Sequence, residues 1–122
     1  MTKKFLLLFL LLPLLLAGCT AVSNSEEKKS ALDGQTILFY GETCAHCKVL
    51  EQYLEDNKIN DKMSIEKLEV SKNKTNATLM MEAVNNCAIS KNAVGVPFLW
   101  VDNKCYMGDV ETTNFFKTKF KL

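Results

Sequence analysis

Apolar residues in this chain occur as short continuous runs and as stripes spaced three and four apart. Thr36-Ile37-Leu38-Phe39-Tyr40 is a run of strand length between Gly34 and Gly41, and apolar character on successive positions suits a strand covered on both faces. Thr43 offers an N-cap, and Cys44 to Asn57 follows with Cys47, Leu50 and Leu54 on one helical stripe. Met63 to Val70 alternates in part and predicts a second strand. Thr75 to Ile89 places Ala77, Met80, Met81, Val84, Cys87 and Ala88 at helical spacings. Phe98-Leu99-Trp100-Val101 predicts a third strand, and Asp102-Asn103 a tight turn into a return strand, Lys104 to Met107. A last helix is expected from Val110 to Phe120, anchored by Phe115, Phe116 and Phe120. The element order is β-α-β-α-β-β-α, an α/β domain over residues 35–122.

The N-terminus has a different pattern. Lys3 and Lys4 precede an apolar run from Phe5 to Ala17, too short for the roughly 20 residues that span a bilayer core. Those are the proportions of a secretory signal. The run ends in Leu16-Ala17-Gly18-Cys19, which resembles the lipobox of bacterial lipoproteins. The resemblance implies a signal peptide over residues 1–18 and acyl chains on Cys19, with residues 19–34 as a polar tether. It places the protein outside the cytoplasm, lipid-anchored to a bacterial membrane, where disulfides persist.

Composition narrows the function. All fifteen basic residues are Lys, which leaves no guanidinium for bidentate phosphate or carboxylate clamping. A formal charge of +1 supplies no field for nucleic acid, and none is expected as a partner. The chemistry lies in the cysteines. Cys44-Ala45-His46-Cys47 follows a buried strand and opens a helix. Helix N-termini stabilise thiolates through free N–H groups and the dipole, so Cys44 is the expected nucleophile. Cys47, one turn in, is placed to resolve a mixed disulfide. His46, the only His in the chain, would as imidazolium favour the Cys44 thiolate and make the disulfide a stronger oxidant.

Ile37 to Lys48 resembles the first strand and active-site turn of thioredoxin-like and glutaredoxin-like proteins. Gly95-Val96-Pro97-Phe98 is similar to their Val-Pro segment, and Asp102 to Asp109 to the glutaredoxin hairpin. The resemblance implies a thioredoxin fold, with a central four-stranded mixed sheet flanked by helices, and a thiol-disulfide oxidoreductase. It also implies a cis Val96-Pro97 bond, with Val96 pairing to an extended substrate segment. Expected partners are protein thiols and disulfides and a redox recycling protein. No cofactor beyond the Cys44–Cys47 disulfide and no metal is expected, and the protein is expected to be a monomer. Departures are plain: Thr43 and Ala45 replace thioredoxin's Trp and Pro, and Leu38 replaces its buried Asp. The hairpin lacks the second glutaredoxin Gly, which argues against glutathione.

Setting Cys19 aside, four cysteines permit three pairings. With Cys44 and Cys47 paired, Cys87 and Cys105 remain for a structural bridge. Two unpaired buried thiols, or a relay through Cys105, are the alternatives. Two other functions compete with the enzyme. Cys44, His46 and Cys47 could hold Cu(I) or Zn(II), although zinc modules usually show two close ligand pairs. A non-catalytic thioredoxin-fold interaction module would use Cys44–Cys47 only as a staple.

Overall fold

A computed structural model describes residues 29–122. The expected signal peptide over 1–18, Cys19 and the expected tether as far as residue 28 lie outside the described residues. Four strands form one mixed sheet: β1 (Ile37–Tyr40), β2 (Glu66–Glu69), β3 (Phe98–Val101) and β4 (Lys104–Met107), in the spatial order β2-β1-β3-β4. The helices are α1 (Ala45–Asp56), α2 (Ile59–Lys62), α3 (Lys74–Asn86) and α4 (Gly108–Phe120). β1 runs parallel to β2 with Leu38 opposite Lys67, and antiparallel to β3 with Leu38 opposite Leu99. β3 and β4 are joined through Asp102 and Asn103, both left-handed at φ 49 and 58, as a two-residue hairpin turn requires.

The apolar runs explain the layers. Side chains alternate across a strand, so β1 and β3 each feed two cores. Ile37, Phe39, Phe98 and Trp100 face Met80, Ala83 and Val84 of α3 on one side. Leu38, Leu99 and Val101 face Leu50 and Leu54 of α1 and Phe116 of α4 on the other. The central strands are buried because both faces are covered; β2, at the edge, is charged and largely exposed.

The structure moves several expected boundaries. Met63 and Ile65 pack against the α1 and α4 core from the segment before β2, which begins only at Glu66. Helix α3 stops at Asn86 rather than Ile89, because Ala88 takes a left-handed φ of 53 and Cys87 becomes the C-cap. Helix α4 starts at Gly108, two residues before the expected Val110, and Thr112, fully buried, donates to the Gly108 carbonyl at 2.7 Å. The short α2 was not expected; the apolar Ile59 draws it into the core where Asn60-Asp61 read only as a stop.

Packing also reaches into residues 30–34. Leu32 is 1% exposed and packs with Trp100 and Ile37, and its carbonyl accepts the buried Trp100 indole N–H at 2.9 Å. Ser30 meets Glu82 of α3 through its hydroxyl, so packing begins before residue 35. Leu32→Ala is expected to lower the unfolding free energy by about 2 kcal/mol, as for other buried leucines. Urea denaturation followed by Trp100 fluorescence measures it; an unchanged midpoint would return residues 30–34 to the tether.

Candidate redox site

The site begins where β1 ends. After Tyr40 the chain turns at Gly41, whose carbonyl accepts the Cys44 N–H at 3.2 Å. A Cβ on Gly41 would stand 2.9 Å from the Ser71 hydroxyl and 3.4 Å from the Cys44 Cβ, so a side chain here would have to displace Ser71. Cys44, not Thr43, is the N-cap of α1: its sulfur accepts the Cys47 N–H at 3.1 Å. An N-cap sulfur stands where the helix's free N–H groups converge. Cys47 lies one turn in and is 8% exposed. The two form a disulfide.

The Val96–Pro97 peptide bond is cis, and the Val96 carbonyl oxygen lies 3.5 Å from the Cys44 sulfur. Residues 52 apart in the chain thus meet at one sulfur. The Pro97 carbonyl in turn accepts the Gly108 N–H at 2.8 Å, which fastens this segment to the start of α4. A shallow groove beside Val96 is lined by His46, Asn92, Val94, Met107 and Asp109.

His46 Nδ1 lies 3.0 Å from Oδ1 of Asp109, in the first turn of α4. A carboxylate only accepts, so Nδ1–H donates and Nε2 faces away from the pair. The His side chain is 73% exposed, so the contact is a surface one. Asp109 thereby enters the site as the companion of His46; its place in the Gly108-Asp109 hairpin end was visible in the sequence, but no role could be read from it.

On the other side of the disulfide, a cavity of about 210 Å³ opens between Leu38, Cys47 and Pro97. Glu51 and Lys67 line it and are paired at 3.0 Å. The sequence reading missed both. Glu51 is one turn beyond Cys47 on α1, and Lys67 sits opposite Leu38 across the β1–β2 ladder.

The loop after β2 passes beside Gly41 at Ser71. Glu69 accepts backbone N–H groups from Lys72 at 2.9 Å, Ser71 at 2.6 Å and Asn73 at 3.3 Å. These bonds, that to Lys72 foremost, hold its carboxyl below the ordinary value of 4.5. A depressed folded-state value adds stability that is present above 4.5 and lost as pH falls through the lower folded value. Stability is therefore expected to fall more steeply on acidification below 4.5 in the native protein than in Glu69→Gln. Urea midpoints of the two proteins across that range test it, and parallel curves would contradict it.

Cys87 and Cys105 form a second disulfide, with Cα atoms 6.2 Å apart, joining the C-cap of α3 to β4. It spans the segment that carries Val96 and Pro97 and lies apart from Cys44 and Cys47 in the bonding pattern. Among the described residues no group of three or more His, Cys, Asp or Glu is arranged to hold a metal ion. No helix among them is long and apolar enough to cross a membrane. Comparison of the chain with protein-family models, curated proteins and solved structures finds no match.

Proposed function

We propose that the protein is a thiol-disulfide oxidoreductase of thioredoxin-like fold, acting on protein thiols and disulfides through Cys44 and Cys47. The observation that carries this reading is the Cys44–Cys47 bond at the N-terminus of α1, with the Cys44 sulfur against the Val96 carbonyl. In the oxidising direction a substrate thiolate attacks Cys44, Cys47 leaves as thiolate, and a mixed disulfide forms. A second substrate thiolate then attacks the substrate sulfur, Cys44 leaves, and the substrate is oxidised by two electrons while the enzyme dithiol is reduced. The reducing direction is the reverse. A recycling partner restores the starting state by the same exchange.

The N-cap position of Cys44 favours its thiolate and makes it the better leaving group from the mixed disulfide, while its greater exposure than the buried Cys47 makes it the sulfur an incoming thiolate reaches. The Val96-Pro97 segment lies beside that sulfur and lines a shallow groove suited to an extended peptide. The lipobox-like Leu16-Ala17-Gly18-Cys19 supports placing this activity outside the cytoplasm, held to a membrane through acyl chains on Cys19.

Two assays test the proposal together. The protein is expected to accelerate dithiothreitol-dependent reduction of insulin or oxidative refolding of reduced ribonuclease, in a manner abolished by prior alkylation of reduced Cys44. Catalysis of neither reaction would overturn it.

A further inference from the structure

This inference rests on the redox reading of Cys44 and Cys47 and adds a group to it. We propose that Glu51, held by Lys67, is the proton acceptor for the Cys47 thiol. The need arises from burial. To close the Cys44–Cys47 bond from a mixed disulfide, Cys47 must attack as a thiolate, yet its residue is only 8% exposed. The helix N-terminal N–H groups favour charge at Cys44, whose sulfur is the N-cap, more than at Cys47 inside the first turn. The Cys47 proton therefore needs a route out.

The cavity beside Cys47 supplies one. Its volume of about 210 Å³ leaves room for water. Glu51 and Glu42 are the carboxylates on its wall. Glu42 is tied to Lys72 on the loop that follows β2. Glu51 projects from the same helix as Cys47, four residues on, so the two share a face. Its Oε1 accepts from Lys67 Nζ at 3.0 Å, which fixes the carboxylate at the cavity wall while leaving the side chain 55% exposed. It can thus take a proton from inside and release it to bulk water. Leu38, the β1 residue on the cavity wall deepest in the core, carries no titratable group.

The step balances. Through the intervening water, Cys47–SH gives its proton to the Glu51 carboxylate. The Cys47 thiolate attacks the Cys44 sulfur of the mixed disulfide, the Cys44–Cys47 bond forms, and the substrate leaves as thiolate. Glu51 then loses the proton to solvent. In the opposite direction, the same carboxylic acid protonates Cys47 as it leaves. Lys67 is a positioning residue: it holds the carboxylate and adds a cation near the forming thiolate.

Stopped-flow reaction of the full-length protein with a chromogenic aromatic disulfide tests this, with Cys44–Cys47 reduced and Cys87–Cys105 intact. Cys44 attack releases one chromophore in a concentration-dependent phase; Cys47 closure releases the second in a concentration-independent one. Glu51→Gln is expected to slow the second phase at least about tenfold at neutral pH, as loss of a proton acceptor does. The deficit should close above about pH 9, where an ordinary thiol ionises unaided. The first phase should match the native rate throughout, and Glu51→Asp should recover part of the second. An unchanged second-phase pH profile in Glu51→Gln would overturn the proposal, as would the same loss appearing in Glu42→Gln instead. A native protein with no second phase at all would overturn the redox reading itself, and the proposal with it.

Discussion

Cys44→Ser is expected to reduce disulfide exchange to the uncatalysed background, whereas Cys47→Ser stops the reaction one step later and traps the substrate. The asymmetry follows from where α1 begins. Cys44 is its N-cap, with the Cys47 N–H pointing at its sulfur at 3.1 Å, and it is the sulfur that faces the Val96 carbonyl. An incoming peptide lying along Val96 therefore meets Cys44 first. Cys47 is buried and reaches only what is already bonded to Cys44. Gel analysis without reductant should accordingly show covalent adducts for Cys47→Ser and none for Cys44→Ser. Adducts of equal yield from both variants would mean that Cys47 is as accessible as Cys44, and the division of roles would fall.

Loss of the second disulfide is expected to act on stability instead. Cys87 and Cys105 are 18 residues apart, and closing a loop of that size constrains the unfolded chain by about 3 kcal/mol. In a domain of this size that corresponds to a fall of roughly 12 to 24 °C in Tm for the double variant Cys87→Ala/Cys105→Ala. The double change is the right comparison, since a single one leaves a free thiol able to exchange with Cys44. Well below its melting transition the double variant should keep most of its exchange activity, because neither residue touches the Cys44 sulfur. Complete loss of activity in a folded double variant would instead favour a relay through Cys105.

Much of this frame was legible because local pattern and packing agree. Ile37, Leu38 and Phe39 of the continuous apolar run are buried on both faces, as such a run requires, and Asp102-Asn103 adopts the left-handed pair a two-residue hairpin needs. The cysteine spacing marked the start of α1 to within a residue. What escaped depends on partners far away in sequence. Leu32 is one apolar residue in a polar stretch, and its burial comes from Trp100, 68 positions on. His46 was visible as chemistry, but its bond to Asp109 joins the N-termini of two helices separated by most of the domain. Glu51 and Lys67 read as solvated charges on their own elements; only the parallel β1–β2 ladder brings Lys67 against α1. Strand β2 is shorter than the alternation from Met63 predicts, because Met63 and Ile65 are apolar for packing against the core of α1 and α4, not for strand pairing.

The central claim is that Cys44–Cys47 is a reversible redox couple while Cys87–Cys105 is a structural bond. Equilibrating the full-length protein across a series of dithiothreitol and glutathione buffers, then alkylating and mapping each cysteine by mass spectrometry, tests it most directly. The expected result is that Cys44 and Cys47 pass together between disulfide and dithiol in the folded protein, at a higher potential than Cys87 and Cys105. A Cys44–Cys47 bond that opens only when the protein unfolds, or together with Cys87–Cys105, would contradict it.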